Sequence, residues 1–402
     1  MTLENPALNP GRNWWSRPSG GREVLRVAAP LVVSSLSWTI LTFIDRMMLN
    51  HVSGAAMAGA FSASIAWFAV ASLPIGVCAY ANTFVAQYDG AKQPERIGLV
   101  IWQAVWIALG CSLLFLIAVP FAPWFFGLAK HNTQITAYEV QFFQIMCLGG
   151  PALLITQSVA SFYSGRGQTW VMMIVEATVD MICIGIDYCW IFGHFGFPAW
   201  GVAGAASATI LCLWLKALIY LTLFLQPRYR DRFGTLAGLR WDGAFVKRML
   251  YYGGPSGIQM FLDVTGFTVF ILFVGQLGGV AAEATSMAFS VSSLAFMPIY
   301  GVHIATSVLV GERLGENRDD LAASVTITAL QMALGYMLVI SLLYFFVPGI
   351  FLTGFFSPEV VQVTDQAAVR HVAAMLLQFV AAYNLLDATQ MIFVGSLKGA
   401  MA

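Results

Sequence analysis

Residues 251–276 read YYGGPSGIQMFLDVTGFTVFILFVGQ, a long apolar run interrupted by one acid, Asp263. About 20 apolar residues in a helix are enough to cross the hydrocarbon core of a bilayer. A carboxylate near the centre of such a span costs about 2.5–3.5 kcal/mol on insertion scales, so acids there are rare and usually functional. The run therefore predicts a membrane-spanning helix, and it raises the question of what its buried acid works with.

The remainder of the chain has the composition of a multi-pass membrane protein. Of its 402 residues, 59% are hydrophobic and only 10% are charged, whereas a soluble domain carries about 25% charged residues. The apolar runs are long and lack the period-two alternation of barrel strands, so they predict helices. We expect an all-α integral membrane protein with ten spans, over residues 27–50, 58–84, 98–121, 138–163, 170–193, 200–226, 250–276, 283–310, 322–347 and 370–396.

Several classes of function are not expected from this sequence. The net charge of zero offers no basic surface for a nucleic-acid partner. The sequence contains no GxxxxGK[ST] phosphate loop, Ser/His/Asp set or HExxH motif, so neither ATP coupling nor an enzyme is expected. The six cysteines lie in apolar runs without the spacing of a disulfide framework or a zinc site. We expect no cofactor other than a coupling ion.

Lysine and arginine residues are concentrated on one side of the predicted topology. They cluster in the N-terminal tail, in the loops after spans 2, 4, 6 and 8, and after span 10. The positive-inside rule places such loops in the cytoplasm. Both termini are therefore predicted to be cytoplasmic, in a protein of the cell inner (plasma) membrane. This prediction depends on Arg12, Arg17, Arg22, Arg26, Lys92, Arg96, Arg166, Arg228, Arg230, Arg232, Arg240, Lys247, Arg248, Arg313, Arg318 and Lys398.

The sequence also repeats across the polar linker of residues 226–248. When the sequence is aligned with itself without gaps so that Pro30 matches Pro255, glycines of the two halves also match; we call this offset the first repeat shift. Further along the chain, a larger offset is needed to align the two halves. Six spans separate the copies, and this even number gives the two halves the same topology. Chance alignment of small residues in apolar sequence is the alternative. The first repeat shift pairs Gly54 with Gly279, Gly76 with Gly301 and Gly90 with Gly315, and the larger shift pairs Gly165 with Gly399.

This repeat predicts two pseudo-symmetric helical lobes. The N-terminal lobe, residues 1–235, would contain six spans (TM1–TM6), and the C-terminal lobe, residues 236–402, would contain four (TM7–TM10). The counterparts of spans 5 and 6 would then be missing from the second lobe. We expect either a chain that ends after the tenth helix of a longer protein or a second lobe that is short.

Several stretches resemble helices of the multidrug and toxic compound extrusion (MATE) transporters. The resemblance covers residues 20–402, and it implies two helical lobes around a central cavity with Na⁺- or H⁺-coupled efflux of organic cations. The stretches are APLVVSSLSWTILTFIDRMML at 29–49, DYCWIFGHFGFPAWGVAGAASATI at 187–210, GGPSGIQMFLDVTGFTVF at 253–270, AFSVSSLAFMPIYG at 288–301 and YNLLDATQMIFVGSLKG at 383–399.

Two acids of the first lobe are expected to lie at similar depth. Asp45 is near the outer end of span 1, and Asp187 is in the outer part of span 5. Two close carboxylates cannot both ionise cheaply, so one holds a proton or a cation lies between them. The alternative is that Asp45 pairs with Arg46 at the interface and that Asp187 caps a helix end.

The resemblance implies a cation or proton site at Asp45 and Asp187. An asparagine is often found four residues before the second of these acids, where this chain has Cys183. A thiol is not a hard ligand, so this replacement disfavours direct Na⁺ ligation in the first lobe and favours protons. Thr209 in span 6 and Asp180 in span 5 are possible accessory residues, with a polar helix face as the alternative for Asp180.

The second lobe carries its own candidate site at Asp263 and Asp387. Tyr383 lies one helical turn before Asp387 and on the same face, where its hydroxyl or ring could contact a cation. In the family that the chain resembles, the position of Asp263 is usually glutamate, whereas the tyrosine and the other aspartate match. These three residues form a possible Na⁺ site, and a structural hydrogen bond is the alternative for Asp263.

These observations predict an ion-coupled efflux antiporter that works by alternating access. Its expected partners are small organic cations, Na⁺ or H⁺, and the lipid bilayer, and it is expected to be a monomer. A flippase for lipid-linked precursors is the alternative within the same broader fold, although it would need a more cationic cavity than these acids provide. A membrane-embedded enzyme or scaffold is the third possibility, without a nucleophile or metal constellation to support it.

Overall fold

The computed structural model describes residues 14–128, 132–276, 279–352 and 366–401. Arg12, which belongs to the predicted cytoplasmic tail, and Ala402 lie outside these ranges. The described secondary structure is helical, with short 3₁₀ turns at Pro94–Arg96 and Ala237–Leu239. The α-helices are α1 Gly21–Val52, α2 Gly54–Ala79, α3 Ala81–Gly90, α4 Ile97–Cys111, α5 Leu113–Leu128, α6 Thr133–Cys147, α7 Gly150–Ser164, α8 Thr169–Phe192, α9 Val202–Phe224, α10 Pro227–Phe233, α11 Gly243–Gln276, α12 Gly279–Gly315, α13 Asp319–Phe346, α14 Pro348–Leu352 and α15 Gln366–Ala400.

The long helices coincide with the expected spans. Within the described residues, eight helical segments are long and apolar enough to cross a membrane, and two of these join consecutive helices, α2 with α3 and α4 with α5. The bent pair α6 and α7 gives a ninth segment. Helix α11 runs without a break over the stretch at 251–276. Its 34 residues extend about 50 Å at 1.5 Å per residue, which exceeds a hydrocarbon core of about 30 Å. These helices and α11 correspond one by one to the ten expected spans.

Local sequence explains where the helices bend and stop. The 45° bend between α6 and α7 falls at Gly149–Gly150, immediately before a proline in the first turn of α7. Proline has no N–H to continue the preceding helix, but it fits a first turn well. Helix α8 ends at Gly193, whose φ of +76° lies in the left-handed region that glycine adopts without strain.

The chain forms two compact units by its internal contacts. Unit 1 consists of the described residues up to Val32 together with Thr265–Met401, and unit 2 consists of Val33–Val264. The core of unit 2 includes the fully buried rings of Phe84, Phe162 and Tyr220. The core of unit 1 includes Tyr344 and smaller residues of α12 and α15. The boundaries between the units fall inside α1 and α11, so these units differ from the lobes that the repeat predicts.

The repeat reappears as equivalent close contacts in the two units. In unit 2, a Cβ on Gly76 would come within 2.6 Å of the Cα of Gly257. In unit 1, a Cβ on Gly301 would come within 2.5 Å of the Cγ2 of Val32. Under the first repeat shift, Gly76 corresponds to Gly301 and Val32 corresponds to Gly257. The same helix crossing therefore occurs twice, each time with a glycine where the backbones approach.

A second pair of contacts follows the larger shift. A Cβ on Gly165 would lie 2.7 Å from the carbonyl oxygen of Asn82, and a Cβ on Gly399 would lie 2.5 Å from that of Ser307. Asn82 and Ser307 correspond by the first repeat shift, whereas Gly165 and Gly399 correspond by the larger one. The contact is therefore conserved between the halves even though the shift grows along the chain.

Candidate functional site

The structure brings Asp45 of α1 and Asp187 of α8 together inside unit 2. Their carboxyl groups face each other closely enough to interact directly. Asp187 is fully buried and Asp45 is half-buried. The Oδ1 atom of Asp45 and both carboxylate oxygens of Asp187 are buried, and among the described residues only the other acid and the weak thiol donor of Cys183 are within hydrogen-bonding reach of them. A proton or a cation between the two acids would satisfy these acceptors.

The alternatives for these two acids are that Asp45 pairs with Arg46 and that Asp187 caps a helix end. Asp187 lies inside α8, which ends at Gly193, so it does not cap the helix. The guanidinium of Arg46 lies 4.6 Å from the centre of the Phe61 ring. Arg46 also interacts electrostatically with Asp45, but the nearest polar group opposite Asp45 is the carboxyl group of Asp187.

A layer of weaker polar groups lies next to the acid pair. The thiol of Cys183 is fully buried, and its Sγ atom is 3.8 Å from the carbonyl oxygen of Ala208. The hydroxyl of Thr209 donates to the carbonyl oxygen of Ala205 at 3.0 Å. Cys212 interacts with both Cys183 and Asp187. Cys183 therefore lies beside the acid pair, and Thr209 lines the same crevice as Cys183. The thiol offers a soft atom where an amide oxygen would offer a hard one.

A buried lysine occupies the next layer. The Nζ atom of Lys216 on α9 lies 2.5 Å from Oε2 of Glu176 and 2.7 Å from Oδ1 of Asp180, both on α8. Tyr220 donates its hydroxyl to Oε1 of Glu176 at 3.2 Å. The ring of Trp38 on α1 covers the ammonium group at 5.3 Å. Two acids therefore share one fixed cation, and we call Glu176, Asp180 and Lys216 the lysine triad.

Asp180 is expected from the sequence as an accessory residue, whereas its partner Lys216 is not. The structure pairs it with Lys216 and does not bring it into direct contact with the acid pair. The signal was present in the spacing: Glu176, Asp180, Cys183 and Asp187 follow one face of α8 at intervals of four, three and four residues. Lys216 and Tyr220 lie on an antiparallel neighbour. Asp180, Cys183, Thr209 and Lys216 line part of one narrow crevice.

The remaining candidate residues are divided between the units. Tyr383 and Asp387 lie one turn apart on α15 in unit 1 and interact electrostatically. The ring of Tyr383 is 6.2 Å from that of Phe379, and its side chain is partly exposed. Asp263 lies on the part of α11 that belongs to unit 2, with its side chain on the outside of that unit. The pairing of Asp263 with Asp387 stays a prediction.

Comparisons with known proteins agree with this architecture. The chain is 30% identical to the probable multidrug resistance protein NorM of Xanthomonas campestris, over 93% of the chain and 80% of that protein. It is 26% identical to the probable multidrug resistance protein NorM of Shewanella oneidensis, over 94% of the chain and 81% of that protein. The fold also matches a solved structure described as the outward-facing conformation of a multidrug resistance MATE family transporter of the MOP superfamily. That match has a TM-score of 0.82 at 17% identity and covers 96% of this chain and 84% of the other.

The family model for MatE matches twice within the chain. The matched segments are residues 30–189 and 255–401. They begin at Pro30 and Pro255, the two prolines that define the first repeat shift, so the family pattern repeats at the shift found in the sequence. Together these segments cover more than half of the chain. The all-α, MATE-like fold class predicted from the sequence is confirmed, and the chain belongs to the MatE family of membrane transporters.

Proposed function

We propose that the protein is an ion-coupled antiporter that exports small organic cations by alternating access. The coupling ion is Na⁺ or H⁺, and the transporter acts as a monomer in the cell inner membrane with both termini in the cytoplasm. Its two lobes would comprise residues 1–235 and 236–402. The names of the relatives support this choice of substrate class, because the similar proteins of Xanthomonas campestris and Shewanella oneidensis are both named as multidrug resistance proteins.

The acid pair is the observation that supports this proposal best. Asp45 and Asp187 face each other in a membrane-spanning bundle, and apart from the weak thiol donor of Cys183 no other side chain among the described residues satisfies their buried oxygens. Buried carboxylates without partners are costly in a medium of low dielectric constant. A mobile ion that neutralises them therefore stabilises the protein, and its departure leaves negative charge that another cation can compensate.

Competition for this negative charge would supply the coupling. An organic cation binds best when the acids are ionised, whereas bound protons or Na⁺ remove the charge that attracts it. Each ligand then lowers the affinity of the other by the same factor, as thermodynamic linkage requires. An inward ion gradient would load the acids from one side of the membrane and release the organic cation there.

The coupling ion in this pair is proposed to be the proton. Cys183 and Cys212 line the pair, and a thiol is a poor ligand for a hard cation such as Na⁺. Asp263, Asp387 and Tyr383 are proposed as a separate cation site, for which carboxylate and phenol oxygens are suitable ligands. Thr209 adds a hydroxyl oxygen to the first site. Asp180 acts there only through Lys216.

Substitution of the acid pair tests the proposal. Asp45→Asn and Asp187→Asn remove the charge with little change of shape, so each should reduce the efflux of a cationic dye from cells at least tenfold, a loss of about 1.4 kcal/mol of coupling or more. Glu95→Gln is a suitable control, because Glu95 is an exposed acid outside the site. Efflux should be measured at equal membrane expression of all variants.

The same variants distinguish a flippase from an antiporter. A flippase would translocate a labelled lipid-linked precursor in vesicles, and its rate would not depend on Asp45 and Asp187. Full dye efflux by both asparagine variants, or precursor flipping by the wild type without ion-driven efflux, would contradict the proposed function.

A further inference from the structure

A basic cavity lies in unit 2, away from the acid pair. Its volume is about 290 Å³, and it is lined by Arg166, Gln168, Arg228, Tyr229, Arg232 and Phe233. Arg166 and Gln168 belong to the turn between α7 and α8, and the other residues belong to the short helix α10. Three guanidinium groups therefore surround one cavity, and no step of the proposed transport cycle uses them.

Arg166 is held rigidly in the wall of this cavity. Its side chain is only 8% exposed, and its guanidinium lies 4.6 Å from the centre of the Phe162 ring and 4.1 Å from that of Phe233. The Nε and Nη1 atoms are buried without a hydrogen-bond partner among the described residues. The rings of Phe162 and Phe233 contact each other as well as the guanidinium, so they support the group from one flank and leave N–H donors available.

The positive charge of the cavity is only partly compensated. Asp89 is the acid that faces it, with Oδ1 at 3.8 Å from Nε of Arg166. Asp89 also interacts electrostatically with Arg232. Burial lowers the pKa of Arg166, and the nearby Asp89 opposes that shift. Among the described residues that line the cavity or pair with its lining, one carboxylate faces three guanidinium groups, which leaves an excess of positive charge that an anion would neutralise.

The cavity lies at the ends of membrane-spanning helices. Helix α7 ends at Ser164, α8 begins at Thr169 and α9 ends at Phe224. Trp102 donates its indole N–H to the carbonyl oxygen of Thr235 in the linker, and the rings of Trp170 and Trp241 are more than half exposed. Tryptophan is enriched where a bilayer meets water, which is the depth of lipid phosphate groups.

We propose that this cavity binds a phosphate group, supplied by the headgroup of an anionic phospholipid or by a free phosphate. The planar fork of arginine matches two phosphate oxygens at once, and basic pockets at the ends of spans suit anionic headgroups. Arg166 would provide the buried donors, while Arg228 and Arg232 would close over the phosphate from α10.

Binding to the purified full chain in detergent tests this site. Phosphatidylglycerol and cardiolipin would be titrated and retention measured by native mass spectrometry, with inorganic phosphate in a parallel titration. Arg228→Gln together with Arg232→Gln should weaken retention at least tenfold, since each lost charge-assisted contact is worth about a factor of ten or more. Arg166→Gln should do the same.

Arg230→Gln provides the matched control. Arg230 lies on the same short helix and is exposed like Arg228 and Arg232, but it does not line the cavity. Its substitution should leave retention within about twofold, as expected for screened surface charge. The double variant keeps the Arg166 stack intact, so it remains informative if Arg166→Gln fails to fold.

Each outcome decides the proposal. Selective retention of either lipid identifies the headgroup as the source, and saturable binding of inorganic phosphate alone identifies a free phosphate. If the wild type retains neither a lipid nor inorganic phosphate, or if Arg230→Gln weakens binding as much as the cavity variants do, then the cavity is not a specific phosphate site and the proposal is wrong.

Discussion

In the proposed mechanism, single residues decide which coupling ion the acid pair would hold. Asp45 and Asp187 meet as two acids, and an additional side chain that interacts with Asp187 is the thiol of Cys183, a weak donor. A proton needs only the two carboxylates, whereas Na⁺ needs several hard oxygen ligands. The presence of sulfur therefore favours the proton in this pair.

Replacing the thiol by an amide should change this preference. Cys183→Asn adds a hard carbonyl oxygen next to Asp187, so the variant should gain stabilisation by Na⁺. We expect the thermal unfolding midpoint of Cys183→Asn to rise by a few degrees in 100 mM NaCl relative to choline chloride, as about 1 kcal/mol of ligand stabilisation would produce. Cys183→Ser is the control of similar size. An equal response in wild type and both variants would contradict this account of selectivity.

The residues of the acid pair could be selected from the sequence because acids are rare in apolar spans. Their proximity followed from similar depth in two spans that run in the same direction. Lys216 was harder to place because a long side chain on α9 can turn toward several neighbours. Only the packing of α8 against α9 determines that its ammonium group reaches Glu176 and Asp180.

At the scale of helices, the lysine triad joins α8 to α9. Glu176 and Asp180 lie four residues apart on one face of α8 and share the ammonium group of Lys216. Removal of one member of a buried ion group leaves an uncompensated charge, which costs about 3–5 kcal/mol, whereas removal of all members together costs far less.

Substitutions in the triad test this reasoning. Lys216→Met should lower the thermal unfolding midpoint clearly, because two carboxylates lose their only close cation among the described residues. Lys216→Met combined with Glu176→Gln and Asp180→Asn should recover most of the loss. A triple variant that is as unstable as Lys216→Met would show that the methylene packing of the lysine, and not its charge, stabilises this helix pair.

The glycines at the helix crossings are a second feature of this scale. A Cβ on Gly76 or Gly301 would meet backbone or side-chain atoms at 2.5–2.6 Å, whereas Gly110 has nothing within 4 Å. Gly76→Ala and Gly301→Ala should each destabilise the protein by about 1–3 kcal/mol through overpacking. Gly110→Ala should be neutral or slightly stabilising, because alanine favours the helix. Equal unfolding midpoints for the three variants would contradict the proposed crossings.

The spans and the repeat were predictable from the sequence, whereas the breaks within helices were only partly so. The ends of a span are visible where a long apolar run gives way to polar residues. The first repeat shift aligns the glycines that lie at equivalent helix crossings. The bend at Gly149–Gly150 has a visible glycine and proline signal. The interruption at Ser112 between α4 and α5 carries a weaker signal, since Gly110 and Ser112 are the small residues there and the Ser112 hydroxyl donates to the carbonyl oxygen of Ala108 at 2.7 Å.

At the scale of the whole molecule, the two halves of the repeat share equivalent helix crossings but carry different side chains at matching positions. By the first repeat shift, Asp45 corresponds to Phe270, and Asp263 corresponds to Trp38. Each half of the sequence therefore has acids at positions where the other half has aromatic residues. The contact units could not be read from the repeat, because their boundaries fall after Val32 and Val264, inside single helices.

In the proposed mechanism, an ion gradient drives the export of an organic cation through the acid pair. The decisive experiment is the uptake of ethidium into proteoliposomes under an imposed pH gradient, an imposed Na⁺ gradient, or neither. We expect a pH gradient to drive accumulation by the wild type, ethidium to dissipate this gradient, and Asp187→Asn to abolish both effects. Accumulation that does not depend on either gradient, or that persists unchanged in Asp187→Asn, would rule out this mechanism.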